Sequence, residues 1–229
     1  MLTTALALLP ENTFAAIDYL AQQNDQKAVV QTYSNLVTKL YWENKDLPNV
    51  ITFAIAGIQY ATHAARRAQT ENPELAAEFL GAAKAISYNL ASFTWSGWDE
   101  AGIVINPTDA KIGLEAAKTN LCLAKELSRG DLPLCRAYWM LGAQSLSNDL
   151  KEKAKEYFAE SAEYANRAQE KAEELLAIGF CAVTALSETP NDEAALRKLG
   201  EVKTQLKELD NGSGFIGQLD TAVRVFITS

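Results

Sequence analysis

Apolar residues recur at three- and four-residue spacing along nearly the whole chain, and six prolines interrupt that pattern. A proline fits the first turn of an α-helix and breaks its interior, so these prolines indicate helix starts. Three of them directly follow a good N-cap residue, in the pairs Asn72-Pro73, Asn106-Pro107 and Thr189-Pro190. An acidic residue follows each pair and suits the positive end of a helix dipole. The pattern therefore predicts an all-α protein.

Ten helices are predicted, with boundaries set by where the apolar periodicity starts and stops. They cover approximately residues 11–23, 26–43, 48–70, 73–95, 107–129, 132–147, 149–170, 171–187, 191–209 and 214–227. Two segments lack a clear helical pattern: residues 96–106, which contain a β-branched run, and residues 223–229, which could be helix or strand. One short β-like run cannot form a sheet alone, so neither segment changes the predicted class.

The clearest internal similarity lies in the two predicted helices between residues 138 and 161. Residues 138–145 read Y-x2-L-G-x2-S, and residues 154–161 read A-x3-F-x2-S. This unit resembles the tetratricopeptide repeat, whose pattern is W-x2-L-G-x2-Y followed by A-x3-F and a further small residue. Small side chains at Gly142, Ala154 and Ser161 let two antiparallel helices touch, and larger apolar side chains fill the space between them.

Weaker versions of this pattern flank the unit, and the resemblance implies an array of helical hairpins. The implied leading helices are 26–43, 73–95, 132–147 and 171–187, each followed by a trailing partner, with the first and last helices as caps. The unit spacing is irregular, and residues 96–106 form a possible insertion. The expected fold is a set of antiparallel hairpins stacked as a tetratricopeptide-like α-α superhelix of about ten helices, in a single domain over residues 1–229.

The resemblance also implies where a partner binds, because the leading helices of this family line a concave surface that holds peptides. The residues expected on that surface are Ser34, Thr38, Glu78, Ala82, Trp139, Ala143, Leu176 and Phe180. Some family members clamp a C-terminal carboxylate with lysine and asparagine side chains. This set is not a basic clamp, so the expected groove is apolar or aromatic.

Aromatic residues supply the first candidate site residues. Trp95, Trp98 and Asp99 lie on the irregular segment, and loops on a rigid scaffold often carry function. The alternative is that both indoles seal the insertion against neighbouring helices. Trp139 follows Tyr138, which occupies the large aromatic position of the repeat, so Trp139 is rotated by about 100° and faces the groove. Tryptophan is enriched at binding hot spots, which favours these three rings as partner contacts.

Basic residues supply the other candidates, Arg66 and Arg136. Arg66 and Arg67 lie about one turn after His63, the single histidine of the chain, and the three could bind an anion together. The alternative is a pair of solvated arginines near a helix end. One histidine cannot build a histidine-based metal cluster, so neither a metal site nor a cofactor is expected.

Composition narrows the possible partners. A net charge of −8 argues against nucleic acid, since phosphate binding needs clustered lysine and arginine, and against an anionic membrane surface. No apolar stretch approaches the roughly 20 residues that span a bilayer, and the short apolar N-terminal run lacks the basic start of a signal peptide. The three cysteines are expected as buried free thiols, which suits a cytoplasmic protein.

These features favour a protein-interaction scaffold or adaptor that binds a peptide or protein in the groove, with a homo-oligomer possible. In this hypothesis Trp98 and Trp139 are the anchors, and Arg66, Arg136 or Asp99 lie at the rim. The alternative is a regulatory domain that binds a small ligand in a pocket near Trp95 and Trp98. An enzyme is not expected, because the sequence has none of the common nucleotide-binding, nucleophile-elbow or zinc-protease motifs.

Overall fold

The computed structural model describes residues 1–10 and 12–227, and over this range the chain forms helices and no strands. The α-helices are α1 (Leu2–Leu8), α2 (Thr13–Ala21), α3 (Gln26–Trp42), α4 (Leu47–Ala68), α5 (Pro73–Phe93), α6 (Pro107–Glu126), α7 (Asp131–Ser147), α8 (Lys151–Arg167), α9 (Lys171–Glu188), α10 (Glu193–Lys207) and α11 (Gly212–Phe226). A 3₁₀ helix, η1, spans Ser96–Trp98. The all-α prediction is therefore confirmed for the described residues.

All ten predicted helices occur, and α1 is an addition to them. With seven residues and a single buried side chain, Ala5, α1 is too short to produce a recognisable apolar period. The predicted helix 11–23 begins at Thr13, and residue 11 lies outside the described residues. The C-terminal segment 223–229 continues α11 as helix through Phe226, while residues 228 and 229 lie outside the described residues.

Side-chain caps explain two of the predicted helix starts. The Asn72 side chain accepts a hydrogen bond from the backbone N–H of Leu75 at 3.0 Å, at the start of α5. Asn106 forms a capping box with Asp109, each side chain accepting from the other residue's backbone N–H. The third start is wrong, because Pro190 lies in a turn and Asp192 caps α10 instead.

The chain divides into two compact units, and the first runs from Met1 to Phe93. In this unit α3, α4 and α5 pack against one another, while α1 and α2 pack on each other and on the edge of that group. The core between the helices is built from large buried side chains, including Tyr33, Leu36 and Phe53. Burying such apolar surface supplies most of the free energy that holds the helices together.

The second unit begins at Thr94 and contains η1 and α6 to α11. Each helix from α6 to α11 packs on the next in sequence order, α11 also packs on α9, and η1 packs on α7 and α11. At the crossing of α7 and α8, a Cβ added to Gly142 would lie 2.8 Å from the Phe158 ring, so only glycine allows this approach. This close crossing is the contact that the sequence predicts for its clearest repeat.

The insertion and the cysteines differ in part from expectation. Residues 96–106 contain η1 and then irregular backbone, and their β-branched run pairs with no strand among the described residues. Cys135 is buried and Cys181 half-buried, but Cys122 is exposed, so its predicted burial is wrong. Its neighbours Leu121 and Leu123 occupy the buried positions on α6 instead. That the whole chain is one tetratricopeptide-like domain stays a prediction.

Candidate functional site

Trp95 lies at the centre of an aromatic cluster in the second unit. It is 1% exposed, and its ring centroid lies 5.4 Å from that of Trp139 and 5.8 Å from that of Phe180. Trp98 packs edge-on against Trp95 at 4.7 Å, and Phe226 of α11 stacks on Trp95 at 6.3 Å. Both indoles of the insertion thus seal it against neighbouring helices, which is the alternative that the sequence left open.

The cluster covers the face that the repeat resemblance assigns to a groove in this unit. We call Trp139, Ala143, Leu176 and Phe180 of α7 and α9 the filled face. All four residues are buried, and Trp139 is only 6% exposed. The chain's own Trp95 and Trp98 rings lie against Trp139 and occupy the place that a peptide guest would take. In this unit the expected groove surface is therefore part of the hydrophobic core.

Two buried donors in this cluster lack a partner. The indole nitrogens of Trp95 and Trp139 have no hydrogen-bond acceptor among the described residues. A buried N–H without an acceptor costs roughly 1–3 kcal/mol relative to a satisfied one. The two tryptophans therefore mark a place where a small acceptor would be stabilised.

Asp99 and Arg136, two of the candidate rim residues, form ion pairs within the second unit. Asp99 has a left-handed backbone conformation with φ of 49°, and its carboxylate accepts a hydrogen bond from Arg224 of α11 at 2.7 Å. Arg136 donates from its Nε to a Glu173 carboxylate oxygen at 2.8 Å, which links α7 to α9. These charges hold elements of the unit to each other. The Asp99–Arg224 pair is exposed on both sides, whereas Glu173 is largely covered beneath exposed Arg136.

The corresponding face in the first unit is accessible to solvent. The predicted groove residues Ser34 and Ala82 are half-buried there, and Thr38 and Glu78 are exposed. Lys27 of α3 and Glu78 of α5 form an ion pair at 2.5 Å, so these two leading helices lie side by side. The exposed side of α3 continues through Gln31, Asn35, Thr38 and Trp42, which recur at helical spacing. We call these α3 residues, together with Ser34, Glu78 and Ala82, the open face.

Trp42 is the residue of the open face that the sequence analysis missed. It is 54% exposed, although its ring contacts Tyr41 edge-on at 4.9 Å and Phe93 at 6.0 Å. The Lys45 ammonium lies 5.3 Å from the Trp42 ring centroid, at the distance of a cation–π contact. The position of Trp42 along the helix could have identified it from the sequence. Trp42 follows Gln31 by eleven residues and lies in the polar row of α3, not in its apolar rows.

Arg66 lies far along α4 in the first unit, beside Tyr60, His63 and Arg67. These four side chains line a surface pocket of about 430 Å³. Burial raises the pKa of the Tyr60 phenol above its usual value, so its hydroxyl keeps its proton at neutral pH. The structure therefore brings Arg66, Arg67 and His63 together at one surface pocket, with both arginines exposed in the last turn of α4. That they bind an anion stays a prediction.

Several kinds of site do not occur in the described residues. None of their His, Cys, Asp and Glu side chains form a group of three or more that could hold a metal ion. Within residues 1–10 and 12–227, no helix combines the length and the apolar character needed to cross a membrane. No protein-family model matches the chain, and a search of curated proteins gives no significant match.

Proposed function

We propose that the chain is a tetratricopeptide-like interaction scaffold of the cytoplasm that binds a protein or peptide segment on its open face. The observation that carries this proposal is the half-exposed Trp42 at the end of a polar row on α3. Tryptophan is among the residues that dominate binding energies, because one ring combines a large apolar area with few rotatable bonds.

The support around Trp42 favours a binding role. Tyr41 and Phe93 stack with centroids 3.9 Å apart and nearly parallel rings, and the Trp42 indole stands edge-on against both. A side chain held in this way loses little conformational freedom when a partner covers it. The Trp42 ring is thus pre-positioned, and binding has only to bury the part of it that faces solvent.

The open face also indicates the chemistry of its partner. Gln31 donates from its side-chain amide to the side-chain oxygen of Asn35 at 2.9 Å, and both amides keep further hydrogen-bonding capacity. Thr38 lies between this pair and Trp42 along the exposed side of the helix. A suitable guest presents an apolar side chain to Trp42 and polar backbone or side-chain groups to the amides.

The test selects random displayed peptides on the full chain and measures their affinities by fluorescence anisotropy. Replacing Trp42 with alanine should weaken the selected peptides at least about tenfold, because a tryptophan hot spot contributes roughly 1–2 kcal/mol or more. Phe14→Ala is the matched control, since Phe14 is an aromatic residue of the same unit that is 72% exposed and lies outside the open face.

Peptides that bind Trp42→Ala as tightly as the unchanged protein would contradict the proposal. Equal weakening by Phe14→Ala would also contradict it, because it would show general aromatic stickiness and no dedicated face.

A second candidate function is binding of a small ligand beside Trp95 and Trp139. The buried indole N–H groups of Trp95 and Trp139, which have no acceptor among the described residues, favour it. A ligand oxygen that accepted from either group would remove the cost of that unpaired donor. Thermal-shift screening of small carbonyl and carboxylate compounds tests this idea. A stabilising compound should also change the fluorescence of a Trp42→Phe variant, which keeps the clustered tryptophans, and a screen with no such compound contradicts this function.

A further inference from the structure

Four polar side chains on α4 converge on one pocket that the proposed function does not use. Tyr60, His63, Arg66 and Arg67 line this space of about 430 Å³. The side chains of His63, Arg66 and Arg67 are exposed, so the pocket is open to solvent and has room for a phosphate group. Each lining side chain offers a hydrogen-bond donor, and two of the four carry a full positive charge.

The charges of the two arginines are unpaired within the described part of the chain. Neither Arg66 nor Arg67 forms an ion pair with an acidic side chain of the described residues, although Lys27 and Lys39 in the same unit do. Both arginines lie in the last turn of α4, where the helix dipole places about half a negative charge. Two guanidinium groups exceed that partial charge, so the pocket keeps a positive field.

One acidic group must be weighed against this field. Burial raises the pKa of the Tyr60 phenol most, the charge of Arg67 lowers it, and the negative charge of Asp25 raises it to a smaller extent. The Asp25 carboxylate also caps α3, because it accepts a hydrogen bond from the backbone N–H of Ala28 at 3.1 Å. Its charge is therefore partly balanced by the positive end of the α3 dipole.

We infer that this pocket binds a phosphate group, carried by the free ion or by a small phosphate monoester. The guanidinium groups of Arg66 and Arg67 pair with the phosphate oxygens, and a planar guanidinium can contact two oxygens at once. The Tyr60 hydroxyl donates a further hydrogen bond, and the Tyr60 ring offers an apolar wall to an organic substituent. The inference is independent of the open face, which uses other residues.

Isothermal titration calorimetry on the full chain, with inorganic phosphate and phenyl phosphate as probes, tests the site. The double variant Arg66→Gln/Arg67→Gln should weaken binding at least about tenfold, since charge-assisted bonds from two arginines are removed. Tyr60→Phe should weaken it by about threefold, through the loss of one neutral hydrogen bond. Arg66 and Arg67 are exposed and Tyr60 is half-buried, so these variants should fold. Circular dichroism of each variant checks this.

The matched control is Arg129→Gln/Arg197→Gln, which removes two exposed arginines elsewhere on the chain that form no ion pair with an acidic residue of 1–10 or 12–227. Unchanged affinity in this control, together with weakening in the pocket variant, supports the site. Tighter binding of phenyl phosphate identifies a monoester as the ligand, and equal binding of the two probes identifies the free ion. Absence of saturable binding, or equal weakening by both double variants, overturns the inference.

Discussion

The two units present the same kind of surface in opposite states. In the second unit the face formed by α7 and α9 is filled by Trp95 and Trp98 of the same chain, and Trp139 is buried beneath them. In the first unit the corresponding face of α3 and α5 is open, and Trp42 stands half in solvent. The difference teaches that similarly packed helices can have one face covered by the chain itself or left open to solvent.

The filled face also shows which kind of segment packs on such a surface. Its guest is a short irregular segment with two aromatic side chains, and Gly97 sits so close to the Trp95 ring that an added Cβ would lie 2.2 Å from it. The segment therefore contributes large rings and a close-packed backbone. An external guest on the open face would have to supply similar apolar area against Trp42.

The largest expected effect separates the two tryptophans by stability. Trp95→Ala should lower the free energy of unfolding by about 3–5 kcal/mol, because it empties a fully buried site. Trp42→Ala should lower it by about 1 kcal/mol or less, since half of that ring already faces water. Urea titration followed by far-UV circular dichroism measures both, and equal losses would break the comparison.

Thiol labelling shows whether the stability loss in Trp95→Ala lies in the second unit, because all three cysteines belong to that unit. Burial raises the pKa of the Cys135 and Cys181 thiols to about 11, so at neutral pH they are protonated as well as shielded. Exposed Cys122 should react first in every variant. When opening and closing are fast relative to labelling, the rate follows the open population, and Trp95→Ala should speed modification of Cys135 at least about 100-fold, which corresponds to roughly 3 kcal/mol. Mass spectrometry of labelled peptides reads each site, and an equal change in Trp42→Ala would contradict the assignment.

Close helix crossings should contribute by similar amounts to the stability of both units. Gly142→Ala in the second unit and Gly57→Ala in the first each place a Cβ 2.8 Å from an aromatic side chain, Phe158 or Tyr33. Such overpacking should cost about 1–3 kcal/mol. Gly200→Ala is the control, because its Cβ would meet nothing within 4 Å and alanine should stabilise α10 by roughly 0.5–1 kcal/mol. Thermal unfolding separates the three variants, and tolerance of Gly142→Ala would show that the crossing is loose.

The smallest expected effect concerns the ion pair at the edge of the filled face. Asp99→Asn removes the charge that meets Arg224, but both side chains are largely exposed. Exposed pairs typically contribute under about 1 kcal/mol, so the variant should stay within that range of the unchanged protein. A loss of several kcal/mol in a urea titration would mean that the pair, more than the aromatic rings, holds η1 in place.

Most of the fold could be predicted from the sequence, because helix formation depends largely on neighbouring residues in the chain. Apolar periodicity and N-cap residues such as Asn72 and Asn106 placed the ten longer helices, and small residues at Gly142 marked a real helix crossing. The seven-residue α1 was beyond reach, since a segment that short shows barely two turns of periodicity.

The candidate site was less predictable because exposure depends on what packs over a residue. Trp98 and Trp139 have the right residue type for binding, but the fold brings Trp95 across them. Trp42 could have been recognised from its position in the polar row of α3. The spacing of Arg66 and Arg67 from His63 put the three on neighbouring turns of one helix, but only the structure shows the pocket that they line.

Side-chain footprinting of the four tryptophans by hydroxyl radicals, read by mass spectrometry, tests the contrast between the two faces most directly. The account predicts rapid oxidation of Trp42, slower oxidation of half-buried Trp98, and strong protection of Trp95 and Trp139. Oxidation of Trp95 or Trp139 as fast as that of Trp42 would contradict it, because the second unit would then have an open face as well.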